Sequence, residues 1–245
     1  MAGRERKKRR GLSREAIVAR ALEIGNAGGL DAVSIRRLAQ DFDVTPMALY
    51  RHVKDKQDLV NAMTELIMEG IDLTAGFRPS MTWTERVRRA MTNFRAWIDA
   101  RPLALPLSIA YSGEGPPGFW RMSDDLLGIL LEAGFTRREA VVLIRVVSNL
   151  LSGYLLLQGE DDPALRQRLE AGEVELIRKR MELTQLSLPR DEFPNIVASA
   201  RDMADVWLSN PDRWWQDTMD VIVFGLESML ERRRRRSGVR SRPAS

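Results

Sequence analysis

Residues 33–53 read VSIRRLAQDFDVTPMALYRHV, and this stretch decides how the N-terminal part of the chain folds. Ser34 is a helix-capping residue. The apolar residues that follow it recur at the spacing of one helical face: Ile35, Leu38, Ala39 and Phe42. Asp43 tolerates a turn, and Thr45-Pro46 predicts a second helix, because threonine caps exposed amides and proline loses no hydrogen bond at a first helical position. We therefore predict two short helices packed across a tight turn.

The second helix of this pair has an outward face suited to DNA. Leu49 and Val53 are expected to point into the core. That leaves four side chains projecting from the first turns: Thr45, Met47, Tyr50 and Arg51. A helix that enters the major groove by its N-terminal end meets base edges and phosphates with residues of this kind. A helical hairpin with a solvated outer face is the alternative. The pattern favours a helix-turn-helix.

Further helices flank this pair. Ser13 can cap a helix over residues 13–27 that stops at Gly28 and Gly29. After the motif, Asp55 can cap a longer helix. The N-terminal region is therefore predicted to hold three short helices followed by a longer fourth.

These motifs together resemble the DNA-binding head of the tetracycline-repressor (TetR) family. The resemblance is carried by residues 21–30, SIRRLA at 34–39, VTP at 44–46 and LYRHVKDK at 49–56. It implies that Tyr50, His52 and Lys56 contact the phosphate backbone. It also implies that four residues lie nearest the bases: Arg36, Thr45, Pro46 and Met47. The full set of DNA-binding candidates adds Ser34 and Arg51.

The chain departs from the family pattern at one turn. The family often has glycine where this chain has Asp43. Aspartate adopts a left-handed backbone more readily than most residues, though less freely than glycine. We therefore expect the turn to form with a small strain.

Beyond residue 75 the sequence predicts a succession of helices. Thr82 with Glu85, and Thr136 with Glu139, have the spacing of a capping box, in which the two side chains bond each other's backbone amides. Residues 113–118, rich in glycine and proline, are predicted to form a loop. The fold class is therefore predicted as all-α, with an N-terminal three-helix helix-turn-helix head and a helical-bundle ligand-binding and dimerisation domain.

Two helices of the body are unusually apolar. Residues 140–157 are apolar on nearly every side, as in a helix without a solvated face. The last helix, from Asp212, is rich in large apolar residues, among them Trp214, Trp215, Met219, Ile222, Val223, Leu226, Met229 and Leu230. A membrane span is not expected, because Arg145 and Asn149 interrupt the first of these helices and a capping box opens it. Two such helices per subunit fit a four-helix dimer interface, and the resemblance to the TetR family implies a dimer interface at these helices. In a monomer, some other part of the chain would have to cover this apolar surface.

A homodimer would also serve DNA recognition. Two recognition helices roughly 34 to 36 Å apart meet the major groove on the same side of a palindromic site. The expected nucleic-acid partner is therefore double-stranded operator DNA.

The resemblance extends, more loosely, to the regulatory domain of tetracycline repressors. It rests on Trp83, Phe94-Arg95, Gly134-Phe135, 152–154 and 224–227. Such domains enclose a small-molecule effector, and effector binding moves the two heads away from the spacing of the groove. The resemblance implies a pocket lined by eight residues: Phe94, Trp97, Ile98, Ser108, Tyr111, Trp120, Leu126 and Asn149. Plain core packing is the alternative role for each of them.

The single histidine of the chain bears on the kind of effector. Tetracycline repressors bind their drug as a magnesium complex with histidines in the pocket, whereas the only histidine here is His52, in the head. We therefore expect a mostly apolar or aromatic effector, no metal and no cofactor.

Composition and charge narrow the function further. The chain has 245 residues, 44% of them hydrophobic, and no cysteine, which excludes disulfides, thiolate zinc sites and a cysteine nucleophile. No apolar segment opens the sequence, so we expect a cytoplasmic protein. Residues 1–10 carry a net charge of +5 and residues 231–245 carry +6, which leaves −7 between them. The N-terminal cations fit an arm that follows phosphates or a minor groove, or else a solubilising tail. Arg232 to Arg236 fit a helix-dipole partner, a disordered tail or a DNA contact.

We expect four segments along the chain: a basic N-terminal arm at 1–12, a helix-turn-helix DNA-binding domain at 13–60, a regulatory ligand-binding and dimerisation domain at 61–231, and an Arg-rich disordered tail at 232–245. Three functions are considered for a chain with these four segments. The favoured one is a ligand-responsive DNA-binding repressor that releases a palindromic operator. The second is an effector-independent dimeric DNA-binding protein. The third, an all-helical enzyme, is not expected, because the sequence offers no nucleophile with a base, no metal-ligand spacing and no phosphate loop.

Overall fold

The computed structural model describes residues 12–160, 171–208 and 211–240. These ranges form twelve α-helices, one 3-10 helix (Leu30–Ala32) and no β-strand, which confirms the all-α prediction. The α-helices are α1 (Arg14–Gly28), α2 (Ile35–Phe42), α3 (Pro46–Leu49), α4 (Lys56–Met68), α5 (Trp83–Asp99), α6 (Ala104–Ala110), α7 (Pro117–Ala133), α8 (Arg137–Glu160), α9 (Ala171–Leu186), α10 (Pro194–Ala198), α11 (Ala200–Trp207) and α12 (Pro211–Arg240). None of the described helices is long and apolar enough to cross a bilayer.

The helices begin where the capping signals of the sequence place them. Ser13, Ser34 and Asp55 each accept a hydrogen bond from the backbone amide three residues later, at 3.2, 3.2 and 2.8 Å. Thr82 and Glu85 form a complete capping box at the start of α5. The same reciprocal bonds form at the start of α8. Local hydrogen bonds therefore fix the first residues of helices both in the head and in the helices that follow it.

The chain divides into two compact units, Met1–Ile144 and Arg145–Ser245. In the first, one apolar core joins α1 to α4 with α6. Its members include Ile17, Leu38, Leu49, Leu59, Met63, Leu103 and Leu107. The head of the molecule is therefore packed on α6 as well as on its own helices, so the position of α4 depends on α6.

Within the first unit, α7 approaches α4 very closely. Gly118, near the start of α7, lies so near the end of α4 that a Cβ atom there would overlap the carbonyl oxygen of Met68. Gly128, further along α7, faces open space. The close approach is therefore confined to the first turn of α7 and requires a residue without a side chain.

In the second unit, α9 packs against α10 and α11. The last helix, α12, buries an apolar stripe made of Trp215, Met219, Ile222, Val223, Leu226 and Leu230. Away from this stripe, Val221 and Phe224 are 71% and 72% exposed. The boundary between the units falls inside α8, and this helix has exposed apolar side chains on both sides of the boundary: Val141 and Val142 before it, Val146 and Leu150 after it. The two helices that the sequence marks as unusually apolar thus both present uncovered apolar faces in the single chain.

Two expected segment boundaries fall inside helices. Residue 60 lies in the middle of α4, which runs on to Met68. We expected a disordered tail from residue 232, whereas α12 continues through the arginine run to Arg240. The physical reason is that arginine is a good helix former and the first glycine after the run is Gly238. Residues 1–11 of the expected arm and residues 241–245 of the expected tail lie outside the described residues.

Candidate functional site

The outward face of the α2–α3 pair is exposed as the sequence predicts. Met47 is 73% and Tyr50 is 48% exposed, whereas Leu49 and Val53 are buried in the core. The helix α3 ends at Leu49, so it is shorter than a helix that would also contain Val53. The amide of Val53 still donates to the carbonyl of Leu49 at 3.0 Å, and this bond keeps the following turn compact. Thr45 is the N-cap, and its side chain makes no capping bond within the described head. The side chains of Thr45, Met47 and Tyr50 are therefore accessible to a ligand outside the head.

The turn between the two helices has the geometry that the aspartate allows. Asp43 adopts the left-handed conformation, with φ 56° and ψ 47°. Its amide donates to the carbonyl of Gln40 at 3.2 Å, and the amide of Val44 donates to that of Ala39 at 3.0 Å. These bonds close α2 in the way that a C-terminal glycine usually does. The departure from the family's glycine therefore leaves the turn intact.

An ion-pair network ties α2 to α1 beside this turn. Asp41 accepts hydrogen bonds from Arg20 at 2.8 Å and from Arg37 at 3.3 Å. Burial opposes the ionisation of Asp41, but the hydrogen bond and charge of Arg20, with the charge of Arg37, outweigh it and lower the pKa. The carboxylate stays charged at neutral pH and holds the two helices together at their exposed edge.

A second network fixes the segment that follows α3, and sequence reasoning missed it. Arg14 of α1 binds Asp58 of α4 through two hydrogen bonds of 2.7 and 2.8 Å, and also donates to the carbonyl of His52 at 2.9 Å. Asp58 in turn accepts from the amide of Lys54 at 2.8 Å. The hydrogen bond from Arg14, opposed by burial, lowers the pKa of Asp58 to about 2. We call these four residues the Arg14 clamp. Arg14 is 44 residues from Asp58, so no local pattern reveals it.

All nine residues predicted to bind DNA lie between the start of α2 and the start of α4. Seven are exposed: Arg36, Thr45, Pro46, Met47, Tyr50, Arg51 and Lys56. Ser34 and His52 are half-buried. Ser34 uses its hydroxyl as the cap of α2, and His52 is held through its carbonyl by the Arg14 clamp. The structure therefore presents most of the set on the surface and gives Ser34 a structural hydrogen bond as well.

The eight residues predicted to line a pocket have diverse environments. Trp97 is 7% exposed, stacks against Phe94 with ring centroids 6.4 Å apart, and lies under the guanidinium of Arg101 at 5.2 Å. The predicted residues that are half-buried are Phe94, Ile98, Tyr111 and Leu126; those that are exposed are Ser108, Trp120 and Asn149. Asn149 belongs to the second unit and the other seven to the first.

Two tryptophans of this set differ in their hydrogen bonds. The Trp120 indole donates to the carbonyl of Gly115 at 3.0 Å. The Nε1 of Trp97 is buried and has no hydrogen-bond partner in the part of the chain that the structure describes. A buried N–H without a partner costs free energy. The Nε1 of Trp97 is therefore a candidate donor to an acceptor atom of a bound ligand.

A row of polar contacts connects α4 to the end of α6. Gln57 donates to the carbonyl of Ala110 at 2.8 Å, and the side-chain carbonyl of Asn61 accepts from the amide of Ser112 at 3.2 Å. The buried hydroxyl of Thr64, one turn further along α4, shares its proton between the carbonyl of Val60 at 2.8 Å and that of Leu107 in α6 at 3.2 Å. We call Gln57, Asn61 and Thr64 the α4 seam. The partners of the α4 seam are mainly backbone groups of α6 and its following turn, so these bonds fix the position of α4 relative to α6.

Comparison with known proteins assigns this architecture. Residues 17–63 match the family model of bacterial regulatory proteins of the tetR family, and residues 77–230 match the tetracyclin repressor-like C-terminal domain. The chain belongs to the TetR family. The first match contains α2, α3 and the Asp41 network with Arg20 and Arg37, and it begins after Arg14; the second runs from before α5 into α12.

Individual relatives match this TetR protein over most of their length. It is 30% identical to the tetracycline repressor protein class D of Escherichia coli over 222 residues, which is 89% of this chain and 88% of the relative. It is 26% identical to the class C repressor of Escherichia coli, covering 92% of that protein. Among solved structures, Streptomyces coelicolor ActR in complex with actinorhodin has a TM-score of 0.73 at 25% identity, with 89% of this chain and 98% of that one covered.

Family membership establishes the general activity. TetR proteins are DNA-binding transcription regulators and not enzymes, and this chain carries the helix-turn-helix head and the ligand-binding C-terminal domain of a TetR repressor. The exposed residues of α2, α3 and the following turn are therefore its candidate DNA interface.

Proposed function

We propose that this TetR protein is a ligand-responsive repressor. As a homodimer in the cytoplasm, it releases a palindromic operator when a small, mostly apolar molecule binds its C-terminal domain. The observation that carries the proposal is the exposed face of α3 and its flanking turns. Met47 and Tyr50 are large, partly apolar side chains that face solvent, and in a protein with a DNA-binding head such a face fits a groove.

Within this interface we assign different roles to different residues. Arg36, Thr45, Pro46 and Met47 contact base edges, where side chains at the N-terminal end of a recognition helix lie. Tyr50, His52 and Lys56 contact phosphates. The Arg14 clamp supports this assignment, because it holds the backbone between His52 and Lys54 in one position.

Dimerisation is supported by the uncovered apolar faces of α8 and α12. Val221 and Phe224 on α12, with Val146 and Leu150 on α8, are large apolar side chains in contact with solvent in the single chain. A second copy that covers these faces with its own would bury them in a four-helix interface. The dimer then places two recognition helices at the spacing of one turn of DNA.

The effector is proposed to bind near Trp97. A ligand with an aromatic or apolar body and one hydrogen-bond acceptor would stack on the Phe94 and Trp97 rings and accept from the unpartnered Nε1 of Trp97. A metal-bound effector held by histidines does not fit, because the single histidine, His52, lies in the head. The relative ActR was solved with actinorhodin bound, which supports an organic effector for this fold.

We infer that effector binding reaches the DNA through α6 and the α4 seam. Since α6 shares an apolar core with the head and Gln57, Asn61 and Thr64 bond its terminal turn, a displacement of α6 must move α4 or break these contacts. Moving α4 changes the position of the head, and hence the spacing of two heads in a dimer.

A panel of small aromatic molecules tests the proposal. Purified protein is bound to duplex fragments from the DNA beside its own gene, and release is followed by fluorescence anisotropy. At least one compound is expected to release the DNA. The Trp97→Phe variant, which keeps an aromatic ring at this position but lacks the N–H, should bind DNA normally and need roughly tenfold more of that compound, since a buried hydrogen bond is worth about 1–1.5 kcal/mol.

The matched control is Trp83→Phe, in a half-buried tryptophan that packs edge-on against Phe135. This variant should respond to the compound as the unaltered protein does. Binding of DNA that no compound of a broad panel reverses would instead favour the effector-independent dimer. An equal response of the two variants would remove Trp97 from the effector site.

A further inference from the structure

The C-terminal turns of α12 carry a dense positive charge that the head does not account for. Five consecutive arginines, Arg232 to Arg236, follow Glu231, and Arg240 ends the described helix. With a rise of about 1.5 Å per residue, the five charges lie within roughly 6 Å along the helix axis. We call residues 232–236 the arginine run.

Three arginines of the run are accessible, whereas Arg233 is half-buried. Arg232, Arg234 and Arg235 are exposed, and the buried apolar stripe of α12 ends before them at Leu230. Arg235 lies 4.0 Å from Glu231, with their side chains 84% and 67% exposed. An ion pair that is so long and so exposed is screened by solvent and holds the guanidinium only weakly.

We propose that the arginine run is a second DNA-contact surface, which binds the phosphate backbone of duplex DNA without reading its sequence. Like charges at helical spacing repel each other, so the run gains stability from a polyanion. Guanidinium groups bind phosphate oxygens through paired N–H donors, which suits arginine better than lysine.

Duplex DNA is favoured over other polyanions for two reasons. The head of the same chain binds DNA, so duplex DNA is a polyanion that this chain meets in its established activity. A lipid surface is a poorer fit, because a helix that lies on a membrane needs an apolar face, and five consecutive arginines leave none within the run.

The experiment uses the full chain and a random-sequence duplex, so it does not depend on the operator or on any effector. Binding is measured over a range of salt concentrations for the unaltered protein and for the triple variant Arg232→Gln, Arg234→Gln, Arg235→Gln. Each phosphate contact contributes about 0.9 to the slope of log affinity against log salt. The slope should therefore fall by about 2 to 3 units.

Two further variants make the result specific. Arg121, Arg180 and Arg190 are exposed arginines outside α12, and their replacement by Gln removes the same total charge. The slope should then stay within about half a unit of the unaltered value. The triple Lys variant of the run keeps the charge and should keep the slope. Thermal unfolding and size-exclusion chromatography check that all the variants are folded and have the same oligomeric state.

Equal slopes for the two Gln variants would overturn the proposal. So would an unchanged slope on DNA combined with lost binding to vesicles that contain anionic phospholipid, because that result assigns the run to a lipid surface. Every variant in this comparison keeps the head unaltered, so the difference in slope reports on the arginine run alone. It can vanish while the unaltered protein still binds its operator, so failure of the two proposals can be told apart.

Discussion

At the scale of single residues, the head combines side chains that face solvent with side chains that fix the backbone beneath them. Tyr50 and Lys56 are exposed to solvent, whereas Arg14 of α1 and Asp58 of α4 form an ion pair that joins the two helices. The first group is expected to determine affinity for DNA. The second is expected to determine the stability of the segment that carries it.

Replacing Lys56 with Ala should weaken binding to every DNA sequence to a similar extent. A phosphate contact carries no sequence information, so its loss reduces the salt slope by about one unit and leaves the preference among sequences unchanged. Anisotropy titrations at several salt concentrations measure both quantities. Lys179→Ala, at an exposed lysine of α9, is the matched control and should leave the slope unchanged. A slope that is the same in both variants would contradict the phosphate role of Lys56.

Asp58→Asn should lower the free energy of unfolding by about 1–2 kcal/mol at pH 7, after allowance for the partial exposure of Arg14. The pKa of Asp58 falls to about 2 in the folded protein, from its ordinary value of 3.8. Its stabilising effect is therefore complete above the unfolded pKa and is lost as the pH falls through the folded one. The difference between variant and unaltered protein should shrink between about pH 4 and pH 2.

Urea unfolding at a series of pH values measures this difference. The exposed Asp191, changed to Asn, removes the same charge outside the head and should change the unfolding free energy by less than about 0.5 kcal/mol. A destabilisation by Asp58→Asn that is independent of pH would show that the Arg14 clamp does not act through the charge of Asp58.

At the scale of elements, the close contact between α7 and α4 should be sensitive to a single methyl group. Gly118→Ala places a Cβ against the backbone carbonyl of Met68, which cannot rotate away, and should destabilise the protein by about 1–3 kcal/mol. Gly128→Ala lies in the same helix with open space around it, and should be neutral or stabilise by up to about 1 kcal/mol. Thermal unfolding of the two variants separates these outcomes; equal stabilities would show that α7 can move away from α4 without loss.

The elements that sequence reasoning predicts well are those with local signals. Ser13, Ser34 and Asp55 cap helices because the capping bond joins residues only three apart. The left-handed turn at Asp43 was likewise readable from its neighbours. By contrast, the Arg14 clamp joins α1 to α4 across 44 residues, and nothing near Arg14 indicates its partner.

The candidate effector site was harder to predict for the same reason. Trp97 is buried, which fits either the pocket role that the resemblance implies or plain core packing. The exposure of Ser108 and Asn149 depends on how distant helices pack, which spacing alone does not determine. The helical arginine run was missed because a charge run and a disordered tail have the same composition. Helix-forming tendency and the absence of a breaker before Gly238 were the available signals.

At the scale of the whole molecule, the proposed repressor depends on two copies of the head acting together. The apolar faces of α8 and α12 supply a reason for the copies to associate, and the exposed α3 supplies the reading surface. Association and reading together demand a binding site with two-fold symmetry, because each copy reads one half.

Selection of duplexes from a random-sequence pool by the purified full chain tests this claim most directly. The enriched sequences should form an inverted repeat whose half-sites are centred about 10 base pairs, or a multiple of that, apart, with an even number of chains bound to each duplex. Enrichment of a single unrepeated half-site by one chain, or no enrichment at low ionic strength, would contradict the account.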